Sequence, residues 1–249
     1  MTQNTSIAYR HYRYNQVSPA ASKQRSMNSA APAIRSLDDL HSPAGRLEAL
    51  LNVGSDSAEY AALVCHPHPL GGGTMHNKVV YHAMKALHSL GIPVLRFNFR
   101  GTGLSEGSHD HGRGEREDVH AALDWLDNEF SLPILFAGFS FGANVGLHAC
   151  CQDHRVKGLI ALGIPVHAEG RDYHYNFLAL CAAPKLFVSG TRDQYGPMHQ
   201  VEAVVRSAAP PAELVWIPDA DHFFVGKLDQ MQSALQEWVS AKFPSARAK

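Results

Sequence analysis

The sequence predicts an α/β fold in which helices flank a mostly parallel β-sheet. After about residue 45, short apolar runs alternate with amphipathic stretches, which is the pattern of strands covered by helices. Two stretches repeat apolar residues at helical spacing, as helices packed on a core do. Since no internal repeat and no break in composition divides this region, one domain is expected.

The apolar runs predict the strands in chain order. A first run, Arg46–Val53, is expected to be antiparallel to the rest of the sheet. Six further runs are expected to form parallel strands. They are Ala61–Cys65, Val94–Phe97, Ile134–Ala137, Leu159–Leu162, Lys185–Val188 and Leu214–Ile217. Helices are predicted to begin near His76 and to include Val119–Leu126 and Leu228–Trp238.

The N-terminal tail differs from the rest of the chain. Residues 1–26 hold four basic residues, no acidic residue and no apolar periodicity. We therefore expect residues 1–36 to be an extension and residues 37–245 to form the domain. Three explanations of the tail stay open: a disordered extension, a start assigned upstream of a true initiator at Met27, or a targeting segment.

Charge and cysteine content exclude several classes of protein. With 22 Lys and Arg against 23 Asp and Glu, the net charge is −1, so neither nucleic acid nor an anionic membrane is expected as a partner. No apolar stretch has the ~18–20 residues needed to cross a bilayer, and no secretory signal is evident. Four cysteines in apolar surroundings indicate reduced thiols and a cytoplasmic protein.

A nucleophile motif follows the third of the six runs. Gly138-Phe139-Ser140-Phe141-Gly142 lies between that strand and a predicted helix. A nucleophilic serine at such a turn has a strained backbone, and glycines two positions away on either side avoid collisions. The adjoining helix N-terminus favours developing negative charge. Ser140 is therefore the predicted nucleophile.

The acid and the base expected for such a serine lie downstream. A histidine must remove the serine proton, and a carboxylate must orient that histidine. Asp193 follows the fifth run and His222 follows the sixth, in the chain order Ser, Asp, His. Asp193 and His222 are the predicted acid and base. Asp219 and Asp221 are rival acids, although immediate neighbours of a histidine rarely reach its outer nitrogen.

Two backbone N–H groups are expected to bind the oxyanion that forms when Ser140 attacks a carbonyl. One belongs to Phe141, the residue after the nucleophile. The other is expected from the loop after the first of the six runs, whose two prolines have no N–H to donate. His68 is the predicted second donor, and Leu70 is the next choice.

Together these motifs resemble the α/β-hydrolase superfamily and, within it, a family of small, capless prokaryotic hydrolases. The matching segments are His66–Pro69, Gly72–Lys78, Phe97–Ser105 and Gly138–Gly142, within a likeness that spans roughly Ala44 to Trp238. The resemblance implies a serine hydrolase with Ser140, Asp193 and His222 as its triad. Many members of the superfamily carry Asp at the position of Asn98. Because asparagine is uncharged, a role that depends on a negative charge is not expected at this position. The Arg100–Ser105 loop is expected either to line the pocket or to form a structural turn.

A cap domain is not expected. Many hydrolases of this superfamily insert one between the sixth and seventh strands, but the interval from Leu162 to Lys185 is long enough only for a short helix and an aromatic rim that includes Tyr173. The sequence thus predicts an α/β-hydrolase fold with a minimal cap or none. We expect an esterase-like enzyme that forms an acyl-enzyme with a small-molecule acyl substrate. A small-peptide peptidase or amidase, a catalytically silent binding scaffold, and homo-oligomerisation stay open.

Histidine is frequent, with 16 residues. A loop cluster invites comparison with a metal site: His66, His68, His76, His109 and His111. Loop clusters alone seldom provide convergent ligands, and a serine triad needs no metal. Neither a metal nor another cofactor is expected.

Overall fold

A computed structural model describes residues 33–168, 171 and 173–244 of the chain. Strands β1 to β10 are Ile34–Leu37, His41–Ser42, Gly45–Arg46, Ala49–Asn52, Ala61–Cys65, Val94–Phe97, Ile134–Phe139, Val156–Leu162, Lys185–Gly190 and Ala212–Ile217. Helices α1 to α5 are Lys78–His88, Arg113–Phe130, Phe141–Cys150, Met198–Ser207 and Leu228–Lys242. Two short 3-10 helices are Pro69–Gly71 and Asn176–Leu180.

Eight of these strands form one sheet, in the order β1-β4-β6-β5-β7-β8-β9-β10. Six neighbouring strands of the sheet are parallel to one another: β6, β5, β7, β8, β9 and β10. Strand β4 is antiparallel to β6. The predicted mostly parallel sheet, its six parallel strands and its antiparallel leader are confirmed. Helices separate the parallel strands along the chain, as parallel connections require.

The helices cover both faces of the sheet. On one face α1 packs against α5, and the buried residues Met231 and Leu235 lie in the same apolar cluster as α1. On the other face α2 packs against α3, with Val119, Leu123 and Leu147 buried between them and the sheet. The two apolar stripes predicted from the sequence therefore face the core, and burying them stabilises the domain.

The boundary predicted at residue 37 needs a correction. Ile34–Leu37 forms an edge strand that pairs antiparallel with β4, so the sheet begins before that boundary. Only Leu37 of this strand is buried, while Ile34 is 51 % exposed, which explains why no apolar run marks it. The predictions for residues 1–32 lie outside the described residues.

The predicted strand ends also differ from those in the structure. β7 and β9 continue through Gly138 and Gly190 beyond the apolar runs, because glycine carries no apolar side chain to mark a strand. Of the predicted leader, Ala49–Asn52 lies in the main sheet, whereas Arg46 pairs with His41 in a separate two-stranded ribbon.

Between β8 and β9 the described residues contain only the short helix Asn176–Leu180. The predicted minimal cap is thus confirmed for the described part of this segment. Within the described ranges, no helix combines the length and apolar character that a membrane span requires.

Candidate active site

Loops from four parallel strands meet at the carboxyl edge of the sheet. Ser140 follows β7, and Asp193 and His222 follow β9 and β10. His68 lies in the loop after β5, which neighbours β7 in the sheet. Because the carboxyl ends of parallel strands share one edge, distant parts of the chain converge there. The structure therefore brings the predicted positions together.

Ser140 occupies a tight turn between β7 and α3. Its φ of 55° and ψ of −120° lie in a region that residues with side chains rarely adopt. A Cβ on Gly138 would lie 2.6 Å from Gly142 O, and a Cβ on Gly142 would overlap His66 O. Both glycines are thus required by space, because they let β7, α3 and the end of β5 touch.

Ser140, His222 and Asp193 form a hydrogen-bonded row. His222 Nε2 lies 2.9 Å from Ser140 Oγ, and His222 Nδ1 lies 2.8 Å from Asp193 Oδ2. An ionised carboxylate only accepts hydrogen bonds, so Nδ1 carries the proton and Nε2 is left to accept the serine proton. All three residues are buried. The row thus has the order of nucleophile, base and acid that acyl transfer by a serine requires.

Backbone groups hold the carboxylate of Asp193 in place. Its Oδ1 accepts hydrogen bonds from the N–H groups of Tyr195 at 2.8 Å and Gly196 at 3.1 Å. Oδ2 is thereby directed to His222. These two donors thus fix the carboxylate that orients the imidazole.

The loop that carries His222 packs against β9. A Cβ on Gly190 would overlap a backbone carbonyl of this loop, so glycine permits the close approach. The rival acids are engaged elsewhere. Asp219 pairs with Arg192 at 2.6 Å, and Asp221 Oδ1 accepts N–H groups of its own turn. Of the three candidate acids, Asp193 is the one that binds the imidazole of His222.

Three aromatic rings surround the imidazole of His222, and the sequence analysis did not identify them. Their centroids lie 4.7 Å (Tyr195), 5.0 Å (Phe139) and 5.2 Å (Phe223) from that of the imidazole. Phe139 and Phe223 adjoin Ser140 and His222 in the chain, and this adjacency could have indicated them. Tyr195 lies on the acid's loop without a motif of its own.

The backbone N–H groups of the loop after β5 differ in whether they have a partner among the described residues. The Leu70 N–H donates to His68 Nδ1, and the N–H groups of Gly71 and Gly73 donate to His68 O. The N–H of His68 makes no hydrogen bond to the residues described. Phe141 is the first residue of α3, so its N–H has no partner within the helix. This pattern favours His68 over Leu70 as a donor to a ligand.

His66 fixes the same loop from inside the protein. It is fully buried, with Nδ1 2.6 Å from Pro67 O and Nε2 2.9 Å from the N–H of Phe99. A carbonyl only accepts and an N–H only donates, so these contacts select the neutral imidazole with its proton on Nδ1. Burial lowers the pKa of His66 to about 4. His66 thus positions the loop that presents His68.

Two cavities adjoin the hydrogen-bonded row. The nucleophile cavity, of about 150 Å³, includes Ser140 and His222 in its wall. The arginine cavity, of about 390 Å³, includes Arg116, Asn144 and Phe141. Both share His68, Arg171 and Tyr173. Tyr173 belongs to the predicted aromatic rim, whereas no motif marks the two arginines or Asn144.

Comparison with known proteins places this fold and site in a family. Residues 61–245 match the family described as "Alpha/beta hydrolase domain". The chain belongs to the α/β-hydrolase family. An uncharacterised protein of Rickettsia prowazekii is 36 % identical to this α/β hydrolase over 204 residues, which cover 79 % of this chain and 85 % of that protein.

Two solved structures are similar to this α/β hydrolase over most of its length. An α/β serine hydrolase homologue from Coxiella burnetii is 38 % identical, with a TM-score of 0.75, and the match covers 84 % of this chain and 98 % of that one. A lidless α/β serine hydrolase from Xanthomonas campestris is 35 % identical, with a TM-score of 0.75, over 86 % and 97 % of the chains.

Asn98 of the α/β hydrolase has a structural role. Its Oδ1 accepts the N–H of Met75 at 2.8 Å, and its Nδ2 donates to Glu48 Oε2 at 2.7 Å. Ser105 Oγ donates to the carbonyl of Asn98. No residue of the Arg100–Ser105 loop lines either cavity in the described part of the chain. Of the two roles expected for this loop, the structure favours the turn.

Two loop histidines lie beside His68 in the wall of the arginine cavity. The ring centroid of His109 lies 4.8 Å from that of His68 and 5.1 Å from that of His111. His109 Nδ1 also lies 2.7 Å from Glu115 Oε1. Across the described residues, no group of three or more His, Cys, Asp or Glu side chains has the arrangement of metal ligands.

Proposed function

We propose that this α/β hydrolase is a serine esterase that cleaves a carboxylic ester of a small molecule through an acyl-enzyme on Ser140. The observation that carries the proposal is the hydrogen-bonded row of three side chains. In this row His222 Nε2 lies 2.9 Å from Ser140 Oγ, and His222 Nδ1 lies 2.8 Å from Asp193 Oδ2. A hydroxyl, a neutral imidazole and an oriented carboxylate in this order are what nucleophilic acyl transfer requires.

In the first half-reaction, His222 Nε2 takes the proton of Ser140 as Oγ forms a bond to the ester carbonyl carbon. The carbonyl π electrons move to its oxygen, which accepts hydrogen bonds from the N–H groups of Phe141 and His68. When the carbonyl re-forms, the bond between the acyl carbon and the oxygen of the leaving alcohol breaks. The His222 imidazolium protonates that oxygen, and Asp193 stabilises the charged imidazole until then.

In the second half-reaction, water replaces the alcohol. His222 Nε2 takes a proton from the water as its oxygen attacks the acyl carbon bound to Ser140. The same two N–H groups bind the second oxyanion. Collapse breaks the bond between Ser140 Oγ and the acyl carbon, and the imidazolium returns its proton to Oγ. The products are the carboxylic acid and the free enzyme.

Fluorophosphonate labelling tests the nucleophile. We expect a covalent adduct on the wild type and on Ser207→Ala, a control that removes an exposed hydroxyl on α4, and no adduct on Ser140→Ala. Turnover of a p-nitrophenyl ester is expected to fall about 10⁶-fold in Ser140→Ala. An undiminished adduct on Ser140→Ala refutes the assignment, and the absence of an adduct on folded wild type favours a silent scaffold.

A substrate panel tests the reaction class. We expect p-nitrophenyl esters of short acids to be hydrolysed and aminoacyl anilides to be hydrolysed far more slowly. Hydrolysis of anilides alone would assign the same residues to a small-peptide peptidase or amidase.

The second oxyanion donor has a matched test at one position. The φ of His68 is −54°, which proline also adopts, so His68→Pro removes the N–H without changing this angle. His68→Ala removes the same imidazole and keeps the N–H. We expect kcat of His68→Pro to be about 10²–10³-fold below that of His68→Ala. Equal kcat values would remove His68 from the oxyanion site.

We further propose that the enzyme works in the cytoplasm. The four cysteines are free thiols, and Cys65, Cys150 and Cys181 are buried. Reducing compartments preserve such thiols. Fractionation of the native cells is expected to recover the protein with cytoplasmic enzymes, and its recovery among exported proteins would contradict this location.

A further inference from the structure

The ester hydrolysis proposed above leaves the arginine cavity without a role. This cavity has a volume of about 390 Å³ and includes Phe141, the residue next to the nucleophile. It shares His68, Arg171 and Tyr173 with the nucleophile cavity. A substrate whose carbonyl carbon lies at Ser140 therefore has space to extend one end into the arginine cavity.

Arg116 on α2 is a half-buried cation in the wall of this cavity. Its Nε is buried and makes no hydrogen bond within the described part of the chain. Burial lowers the pKa of Arg116, but an arginine side chain stays charged near neutral pH. Arg100, in contrast, is paired with Asp118 at 2.8 Å. A buried cationic donor without an acceptor is unfavourable, and an anionic ligand removes this cost.

Asn144 on α3 is a second polar residue in the same wall. The residue is 9 % exposed, and its amide lies beside the Tyr175 hydroxyl, which donates to Pro165 O at 2.9 Å. Arg116 and Asn144 thus place polar side chains from two helices in the wall of one cavity.

The charge of the arginine cavity is positive. No Asp or Glu among the described residues lines it. On α2 the buried carboxylate of Glu115 accepts two backbone N–H groups and lies 2.7 Å from His109 Nδ1. Burial lowers the pKa values of His68 and His148 to about 4, so both are neutral at pH 7. Arg116 and Arg171 carry the permanent positive charge of this cavity.

We propose that the arginine cavity binds a carboxylate carried by the substrate, so that the enzyme's substrates are esters with a second, anionic carboxyl group. The planar guanidinium of Arg116 donates to the two carboxylate oxygens, a geometry that suits a planar anion. This inference rests on the proposed esterase function, because the ester carbonyl must lie at Ser140 while the carboxylate lies in the arginine cavity.

Matched ester pairs that differ in one negative charge test the inference. One pair is mono-p-nitrophenyl adipate and its methyl ester, which place the charge on the acyl side. The other is 4-carboxyphenyl butyrate and its methyl ester, which place it on the leaving group. After subtraction of spontaneous hydrolysis, we expect kcat/KM for the anionic member of at least one pair to exceed that of the neutral member about tenfold or more.

Substitution of Arg116 tests where that preference arises. In Arg116→Gln the ratio of anionic to neutral kcat/KM is expected to fall toward one, and in Arg116→Lys much of it is expected to remain. Arg113→Gln is the matched control, because it removes the same charge from the same helix at a side chain that is 78 % exposed. Its ratio is expected to equal that of the wild type.

Several outcomes would overturn the inference while the esterase function stands. They are equal kcat/KM values within both pairs, or a preference for the anionic ester that Arg116→Gln retains as fully as Arg113→Gln does.

Binding to Ser140→Ala gives a readout that needs no turnover. Titration calorimetry is expected to show tighter binding of an anionic ester than of its neutral partner, and loss of that difference on adding Arg116→Gln. Equal affinities refute the carboxylate site even if no ester is hydrolysed.

Discussion

The neutral state of His66 makes the stability of the domain depend on pH. Both ring nitrogens are committed, Nδ1 as donor to Pro67 O and Nε2 as acceptor from Phe99, and the residue is fully buried. Protonation would place a hydrogen on Nε2 against the Phe99 N–H. His66→Gln is the informative change, because a glutamine side chain is long enough to accept from Phe99 but does not titrate.

The magnitude follows from the pKa of His66, which burial lowers from 6.5 to about 4. Between these two values the unfolded chain binds a proton that the folded protein excludes, so the free energy of unfolding falls as the pH falls. The loss begins near pH 6.5 and is complete near pH 4, where it reaches about 3 kcal/mol at 1.36 kcal/mol per pKa unit. Between pH 7.5 and pH 5 it amounts to about 2 kcal/mol.

Urea denaturation at pH 7.5 and pH 5 measures this loss. The wild type and the control His76→Gln, which replaces an exposed histidine of the same loop region, are expected to lose stability in parallel. His66→Gln is expected to lose about 2 kcal/mol less over this interval. If the three proteins lose equal stability, the assignment of a buried, neutral His66 is wrong.

Three further substitutions test the site and its support. Gly142→Ala brings a Cβ onto a backbone carbonyl just after β5, and the resulting shift of α3 is expected to lower kcat/KM about 10²-fold. Asp193→Asn weakens the orientation of the imidazole and is expected to lower kcat about 10⁴-fold. Asp118→Asn leaves the buried Arg100 guanidinium with only the more exposed Glu117 as charge partner and is expected to lower the free energy of unfolding by about 3 kcal/mol in urea denaturation.

Each of these substitutions has a measurement that separates it from general damage. Gly71→Ala is the control for Gly142→Ala, since its Cβ would meet nothing closer than 3.9 Å, and equal kcat/KM values in the two variants would contradict the packing argument. Asp193→Asn should keep wild-type affinity for a substrate analogue, and unaltered kcat would exclude Asp193 as the acid. Asp118→Asn with wild-type stability would show that Arg100 does not need the Asp118 carboxylate.

Local patterns made the parallel sheet and the Ser140–His222–Asp193 row predictable. Each of the three residues lies in the turn or loop after a strand whose apolar run is visible in the sequence, and parallel strands end at one edge. β1 escaped prediction for the opposite reason. Ile34–Leu37 is an edge strand with one buried residue, so its place in the sheet depends on pairing with β4 and not on its own composition.

The arginine cavity was not predictable because no local pattern marks its residues. Arg116 and Asn144 belong to different helices, and each is one polar position in an otherwise ordinary amphipathic or buried segment. Their shared place in the wall of one cavity exists only once α2 packs against α3. Such a property belongs to the tertiary structure, so a single sequence does not contain a signal for it.

The first turn of α3 joins the proposed reaction and the proposed specificity. It begins at Phe141, whose N–H has no partner within the helix, and it includes Asn144 in the wall of the arginine cavity. Three residues of helix separate the two positions by about 4.5 Å along the axis. A rigid helix therefore fixes the distance between the proposed oxyanion donor and this part of the cavity wall. We expect the length of the spacer between the substrate's ester carbonyl and its carboxylate to depend on this distance.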